Sequence, residues 1–260
     1  MDFELGGKVA LVTGSSRGIG RTIAEALAAE GCDLMLTGRD EAGLAATKAA
    51  VEGLGRKAVT HAGDLRDPAA PAALVAAFGR AYDRLDILVN NAGATKRGAF
   101  LALTDADWQD GFALKFFAHV RLARAAWSLL AAAGGSLLTI AGVGAREPTA
   151  DFTIGSSVNA ACVAFTKALA DLGKEAGVQV NTINPGHVDT DRLQHRLAAL
   201  MRENGIDAEA ARERYRRMLG VTRLGRVEDV ASLAAFIVSR HGRWLHGTTI
   251  DLDGGQMTVL

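Results

Sequence analysis

The sequence predicts one doubly wound α/β domain, a mostly parallel sheet with helices on both faces. Three observations carry this. Short apolar runs alternate with helix-length stretches of ten or more residues along the whole chain, the order that yields parallel strands joined by crossover helices. The first apolar run leads into a glycine-rich turn that opens a helix. A length of 260 residues, 49% hydrophobic and 22% charged, suffices for a sizeable core and excludes a disordered or fibrous chain.

Taken in order, Val9–Thr13 is a continuous apolar run, as a strand covered on both faces requires. A turn comes next, then a helix over 18–30 that Gly31 ends. Strand 34–37, helix 40–54, strand 57–61, helix 69–80 and strand 87–90 repeat the alternation. A long helix is expected over 105–132, then strand 136–140, helix 156–172 and strand 178–183. An Arg-rich helical region at 191–218, a helix at 228–238 and a last strand at 248–252 complete the chain. Neither a low-complexity linker nor a short repeat divides it, so residues 1–260 read as a single domain. Residues 125–145 carry no charge and are long enough to span a bilayer, but Gly134-Gly135 splits them into a helix end, a turn and a strand. No membrane span is expected.

Lys and Arg (29) balance Asp and Glu (29), so no global field attracts nucleic acid or an anionic membrane, and the expected partner is a small molecule. Cys32 and Cys162 lack metal-ligand spacing and suggest no disulfide framework. Met1–Lys8 carries two acids and no apolar core, unlike a signal peptide, and a cytoplasmic location is expected.

The turn reads Thr13-Gly14-Ser15-Ser16-Arg17-Gly18-Ile19-Gly20. Its glycines permit close approach of a pyrophosphate, and the helix behind it supplies free N–H groups and positive potential. The spacing Gly14-x-x-x-Gly18-x-Gly20 resembles that of the short-chain dehydrogenase/reductase family, a Rossmann-like fold. Five further stretches are similar to its motifs: Asp64-Leu65, Asn90-Asn91-Ala92-Gly93, Asn184-Pro185-Gly186 with Thr190, and two C-terminal segments, 226–231 and 251–255. The resemblance implies a nicotinamide cofactor held by Gly14, Ser16, Arg17, Gly18, Ile19, Gly20, Arg39, Asp64, Leu65, Asn91, Ala92, Gly93, Asn159, Pro185, Gly186, Val188 and Thr190. NAD-preferring members carry an acid at the end of the second strand; here Gly38 stands there, Arg39 is next, and Arg17 lies in the turn. Two guanidiniums favour a 2′-phosphate, so NADP(H) is expected in preference to NAD(H), with Asp40 one residue later than the discriminating acid.

The resemblance also implies a catalytic set: a Tyr acid or base, a Lys four residues later, a Ser about thirteen before the Tyr, and an Asn on the preceding long helix. Residues 160–170 resemble the helical segment immediately after the family's Lys. That alignment puts Asn159 at the Lys position, Gly155 at the Tyr position, Gly142 at the Ser position and Lys115 at the Asn position. The two tyrosines, Tyr82 and Tyr215, have Asp86 and Leu219 four residues on, so no Tyr-x-x-x-Lys occurs. The expectation is a divergent member without the usual tetrad.

Other polar groups fall near the same cavity. Trp108, Phe112, Lys115, His119 and Leu122 have 3–4 spacing, which sets Lys115 and His119 on one helix face. An inward Lys115 would be desolvated and suited to act as base or Schiff-base nucleophile; alternatively it fills space and reaches the cofactor ribose through Asn159. His187, just past Pro185-Gly186, is the second catalytic candidate. Asp151 reads as a loop residue, and Ser156 and Ser157 as helix N-caps. The Arg-rich segment 191–220 occupies the family's substrate-lid position; an anionic substrate is conceivable, and a charge-laced solvated helix is the preferred reading. An apolar stripe of Phe116, Val120, Ala123 and Trp127, with the resemblance, suggests a homotetramer or homodimer. The function expected is an NADP(H)-dependent oxidoreductase for a small carbonyl or hydroxyl substrate, with non-standard proton delivery. The alternative is a non-redox lyase or isomerase, or a cofactor-binding pseudoenzyme.

Overall fold

A computed structural model describes residues 2–258; Met1, which opens the acidic N-terminal stretch, lies outside them. The elements run β1 (Val9–Thr13), α1 (Gly18–Ala29), β2 (Asp33–Gly38), α2 (Glu41–Gly53), β3 (Ala58–Ala62), α3 (Ala70–Ala81) and β4 (Ile87–Asn90). Then come α4 (Asp105–Phe112), α5 (Ala118–Ala133), β5 (Ser136–Ile140), α6 (Thr153–Ala176) and β6 (Gln179–Pro185). The chain closes with α7 (Asp191–Asn204), α8 (Ala208–Leu219), α9 (Val227–Val238) and β7 (Thr249–Leu252). All seven strands pair in parallel in the order β3-β2-β1-β4-β5-β6-β7. The predicted doubly wound architecture is present. The order reverses between β1 and β4, and ligands of such sheets bind in the crevice outside the strand carboxyl ends at that point.

Two apolar layers hold the sheet. Ile23, Leu27, Val230 and Ile237 pack α1 and α9 on one face, and Leu74, Phe78, Leu122 and Leu130 pack α3 and α5 on the other. Central strands such as β1 are buried at every position, which is why they read as unbroken apolar runs.

Several expectations are corrected. The long helix over 105–132 is interrupted by one wider turn, Ala113–Phe117, centred on Lys115. Such a turn holds an extra residue and loosens the local hydrogen-bond ladder; here the Lys115 carbonyl accepts from Cys162 Sγ at 3.5 Å. The apolar stripe does not share one environment. Ala123 is buried in the core, while Phe116 packs edge-on against Phe112 and Phe165. Ser156 and Ser157 are not N-caps, because α6 begins three residues earlier; Ser156 is buried inside the helix with its hydroxyl unpartnered. The Arg-rich region is two helices: Gly205, at φ +62°, ends α7, and Asp207 caps α8 by accepting from the Ala210 N–H at 2.8 Å. Among the described residues no helix is long and apolar enough to cross a membrane.

Candidate functional site

At the amino end of α1 the turn is built from backbone. Gly14 and Gly18 have φ of +65° and +54°, and a Cβ on Gly20 would lie 2.2 Å from the Gly14 carbonyl oxygen. Arg17 precedes the helix without capping it, so the first N–H groups of α1 stay available. The turn is braced from β4. Asn91 Nδ2 donates to the Thr13 carbonyl at 2.9 Å, and the N–H groups of Asn91 and Ala92 both donate to Thr13 Oγ1 at 2.9 Å. This cradle fits a dinucleotide pyrophosphate in shape and polarity. Thr190 faces it across the cleft, its methyl 3.6 Å from where a Gly18 Cβ would stand, and Arg17 pairs with Asp191 at 3.4 Å.

At the end of β2, a Cβ on Gly38 would come no nearer than 3.4 Å to Ser16 Oγ. Asp40 is turned away into α2, where it caps by accepting from the Gly43 N–H at 3.1 Å. Arg39 lies 3.6 Å from Asp64. Burial works against the Asp64 charge, but the Arg66 N–H and guanidinium outweigh it and hold the carboxyl below its ordinary range.

The carboxyl ends of β4 and β5 are filled by side chains. Lys115 Nζ donates to the Ala141 carbonyl at 2.8 Å, and its stem runs against Gly93, where a Cβ would fall 2.8 Å from Lys115 Cδ. Desolvation, aided by the Arg192 charge, pushes the amine down to about 8. His119 donates from Nε2 to the Ala92 carbonyl at 2.9 Å, and burial pushes it down to about 3, so the ring is neutral. Cys162 Sγ lies 3.8 Å from His119 Nδ1, and burial raises this thiol to about 11, which keeps it protonated. Asn159, on α6, points its amide nitrogen to within 3.2 Å of where a Gly142 Cβ would be. Among the described residues its buried Oδ1 has no partner, so it could accept from a ligand hydroxyl. Gly155 is covered by Phe152, whose Cζ lies 2.0 Å from the position of a Gly155 Cβ. Arg97 stacks over that ring at 4.1 Å and pairs with Asp151.

On the third side, Gly186 packs so closely on Asp253 that a Cβ would come within 2.9 Å of its Cα. Val188 bridges to Gly225, and His187 Nδ1 meets Gln256 Oε1 at 2.8 Å. Burial lowers the His187 pKa, with Arg196 and Arg97 adding to the effect. Its ring meets Tyr215 edge-on, with centroids 5.5 Å apart. Lys115 and His187 thus belong to separate hydrogen-bond networks. Phe152, Arg97, Tyr215, Gln256 and Cys162 were not among the sequence candidates. Only the i, i+3 spacing of Phe152 and Gly155 offered a signal for any of them.

A family model described as enoyl-(acyl carrier protein) reductase matches residues 14–257. The chain belongs to the short-chain dehydrogenase/reductase family. It is 30% identical over 260 residues to the 3-oxoacyl-[acyl-carrier-protein] reductase FabG of Escherichia coli, covering all of both chains. Among solved structures, L-sorbose reductase from Gluconobacter frateurii, complexed with NADPH and L-sorbose, superposes with a TM-score of 0.96 at 31% identity over the whole of both chains. A short-chain dehydrogenase from Burkholderia cenocepacia in complex with NADP gives 0.84 at 35% identity, covering 97% of this chain and 98% of that one.

Proposed function

We propose that this family member is an NADP(H)-dependent oxidoreductase for a small carbonyl or hydroxyl substrate, and that Lys115 handles the proton. The cofactor would be held by the Gly14–Gly20 turn, with Arg17 and Arg39 toward a 2′-phosphate and Asn159 toward a ribose hydroxyl. When bound, a nicotinamide dinucleotide gives or takes a hydride. The names of relatives that carry NADPH or NADP support this reading.

The observation that carries the proton assignment is the Lys115 amine itself. It is desolvated to about 8 and hydrogen-bonded at the end of β5, where Gly142 and Gly155 contribute no side-chain acid. Relative to the family pattern, Asn and Lys have exchanged walls of the cleft, Lys115 on the broken long helix and Asn159 on α6. Carbonyl reduction consumes one proton, which the Lys115 ammonium gives to the nascent alkoxide before solvent reprotonates the amine. Alcohol oxidation runs through the neutral amine as base. Reduction therefore falls as pH rises through about 8, and oxidation rises there. Lys115→Met should lower kcat by ~10²-fold or more and remove that inflection. A pH profile unchanged in Lys115→Met would refute the assignment.

One observation favours a second reading, a non-redox or binding-only protein: the Phe152 ring covers Gly155, the position at which the family's phenol is expected. Tight NADPH binding with no NADPH oxidation by any carbonyl compound would favour it. The cytoplasmic location, the lid role of 191–220 and a homotetramer or homodimer belong to the same proposal. Light scattering at micromolar concentration tests the last.

A further inference from the structure

The carboxyl ends of β4 to β6 gather arginines that the proton chemistry does not use. Arg97 comes from the loop after β4, while Arg192 and Arg196 lie one turn apart on one face of α7. They differ from Arg212, Arg216 and Arg217 of α8. Arg212 pairs with Asp189 at 2.5 Å, and Arg216 and Arg217 share Glu213 at 2.7 and 2.6 Å. Among the described residues no carboxylate pairs with Arg192 or Arg196. Arg192 donates to the Gly93 carbonyl at 3.3 Å, and Arg196 to the Tyr215 hydroxyl at 2.8 Å. Tyr215 in turn packs on His187, which holds Gln256.

These cations face one another. Arg192 is exposed and Arg196 half-buried on α7. Desolvation, then the charges of Arg196, Arg97 and Arg17, lower the Arg192 pKa, and Arg196 and Arg97 push His187 the same way. The nearby acids are engaged: Asp151 with Arg97, Asp191 with Arg17, and Glu147 with the Gln256 amide at 2.9 Å. Like charges gathered without a carboxylate partner for Arg192 and Arg196 oppose one another, and an entering anion reverses that penalty. A guanidinium fork matches a carboxylate bidentately, and two forks spaced i, i+4 converge on one group.

We propose that Arg192 and Arg196, with Arg97 at the rim, bind a carboxylate of the substrate, which is therefore a small hydroxy or oxo acid. Tyr215 is a positioning residue that holds Arg196 toward the cleft. Arg17, at the phosphate turn, belongs to the nucleotide end. The inference rests on the oxidoreductase reading above, and its test separates the two.

Calorimetry with the protein saturated in NADP would compare acetoacetate with its neutral isostere acetoacetamide. Acetoacetate should bind at least about tenfold tighter. Arg196→Gln, alone and with Arg97→Gln, should erase that preference while NADPH affinity, which reports an intact fold, stays unchanged. Arg196→Lys should retain part of it. Equal binding of acid and amide, binding of neither, or a preference that survives both substitutions would overturn the carboxylate site. NADPH oxidation is read separately. Charge-selective binding without oxidation supports the carboxylate site and sinks the redox reading. Oxidation driven equally by acid and amide sinks the carboxylate site and leaves the redox reading standing.

Discussion

Two ends of one cleft are made of different material. At the α1 end, Gly14, Gly18 and Gly20 leave no side chain at three positions of the turn, and Thr13 and Asn91 brace its backbone. At the β4–β5 end the glycines have the opposite consequence. The spaces beside Gly93 and Gly155 are taken by the Lys115 stem and the Phe152 ring, and Gly142 lies against the Asn159 amide. A glycine in the first region is a requirement of the backbone, through a positive φ at Gly14 and Gly18 and the close approach of the Gly14 carbonyl at Gly20. In the second it leaves room that a neighbouring side chain fills. The same residue type therefore carries opposite tolerance to substitution, and only its surroundings tell which.

That contrast can be broken most sharply at Gly20. A Cβ there meets backbone at 2.2 Å, which cannot yield, so Gly20→Val should abolish NADPH binding by ~100-fold or more in a fluorescence titration. Wild-type affinity in that variant would mean that the turn is not the nucleotide cradle. A smaller effect belongs to Gly155. Its neighbour is the end of a side chain, so Gly155→Tyr should cost about 1–3 kcal/mol in denaturant unfolding. Adding Phe152→Ala should recover most of that loss, since the new phenol can take the vacated volume. Neither change should raise carbonyl reduction above the wild-type rate, because Asn159 offers no ammonium to lower the phenol pKa. A Gly155→Tyr variant as stable as wild type would show that Phe152 does not hold this space. The smallest expected effect is at Arg39, which is largely solvent-exposed and already near Asp64. NADPH should bind several-fold tighter than NADH, and Arg39→Ala should remove most of that gap, ~5-fold at most for an exposed guanidinium. Equal affinities in the wild type would defeat the cofactor preference.

The arginines of segment 191–220 make a parallel lesson. In sequence they form one mixed-charge run. In the fold, Arg212, Arg216 and Arg217 pair with acids, whereas Arg192 and Arg196 have no carboxylate partner among the described residues and donate to the Gly93 carbonyl and the Tyr215 hydroxyl. Helical periodicity alone puts Arg192 and Arg196 on one face, but it is the docking of α7 that brings Arg192 to the Gly93 carbonyl and Arg196 to the Tyr215 hydroxyl. Tyr215 escaped notice for a related reason, since its importance lies in contacts with Arg196 and His187, which are far from its neighbours in sequence.

By itself the sequence determined the alternation of strands and helices, the parallel sheet and the glycine turn. These depend on local hydrophobic period and on backbone freedom, both of which are written residue by residue. It also set Lys115 on the face shared with His119, through simple 3–4 spacing. Tertiary structure alone decided the rest: the wide turn that inserts at Lys115, the loss of its ammonium's hydration, the Phe152 ring over Gly155 and the gathering of Arg97, Arg192 and Arg196. Each of these depends on which groups from distant strand ends come within a few ångströms, and on how much water is excluded when they do. Desolvation and Coulomb interaction act across space, and no local pattern of residues records them.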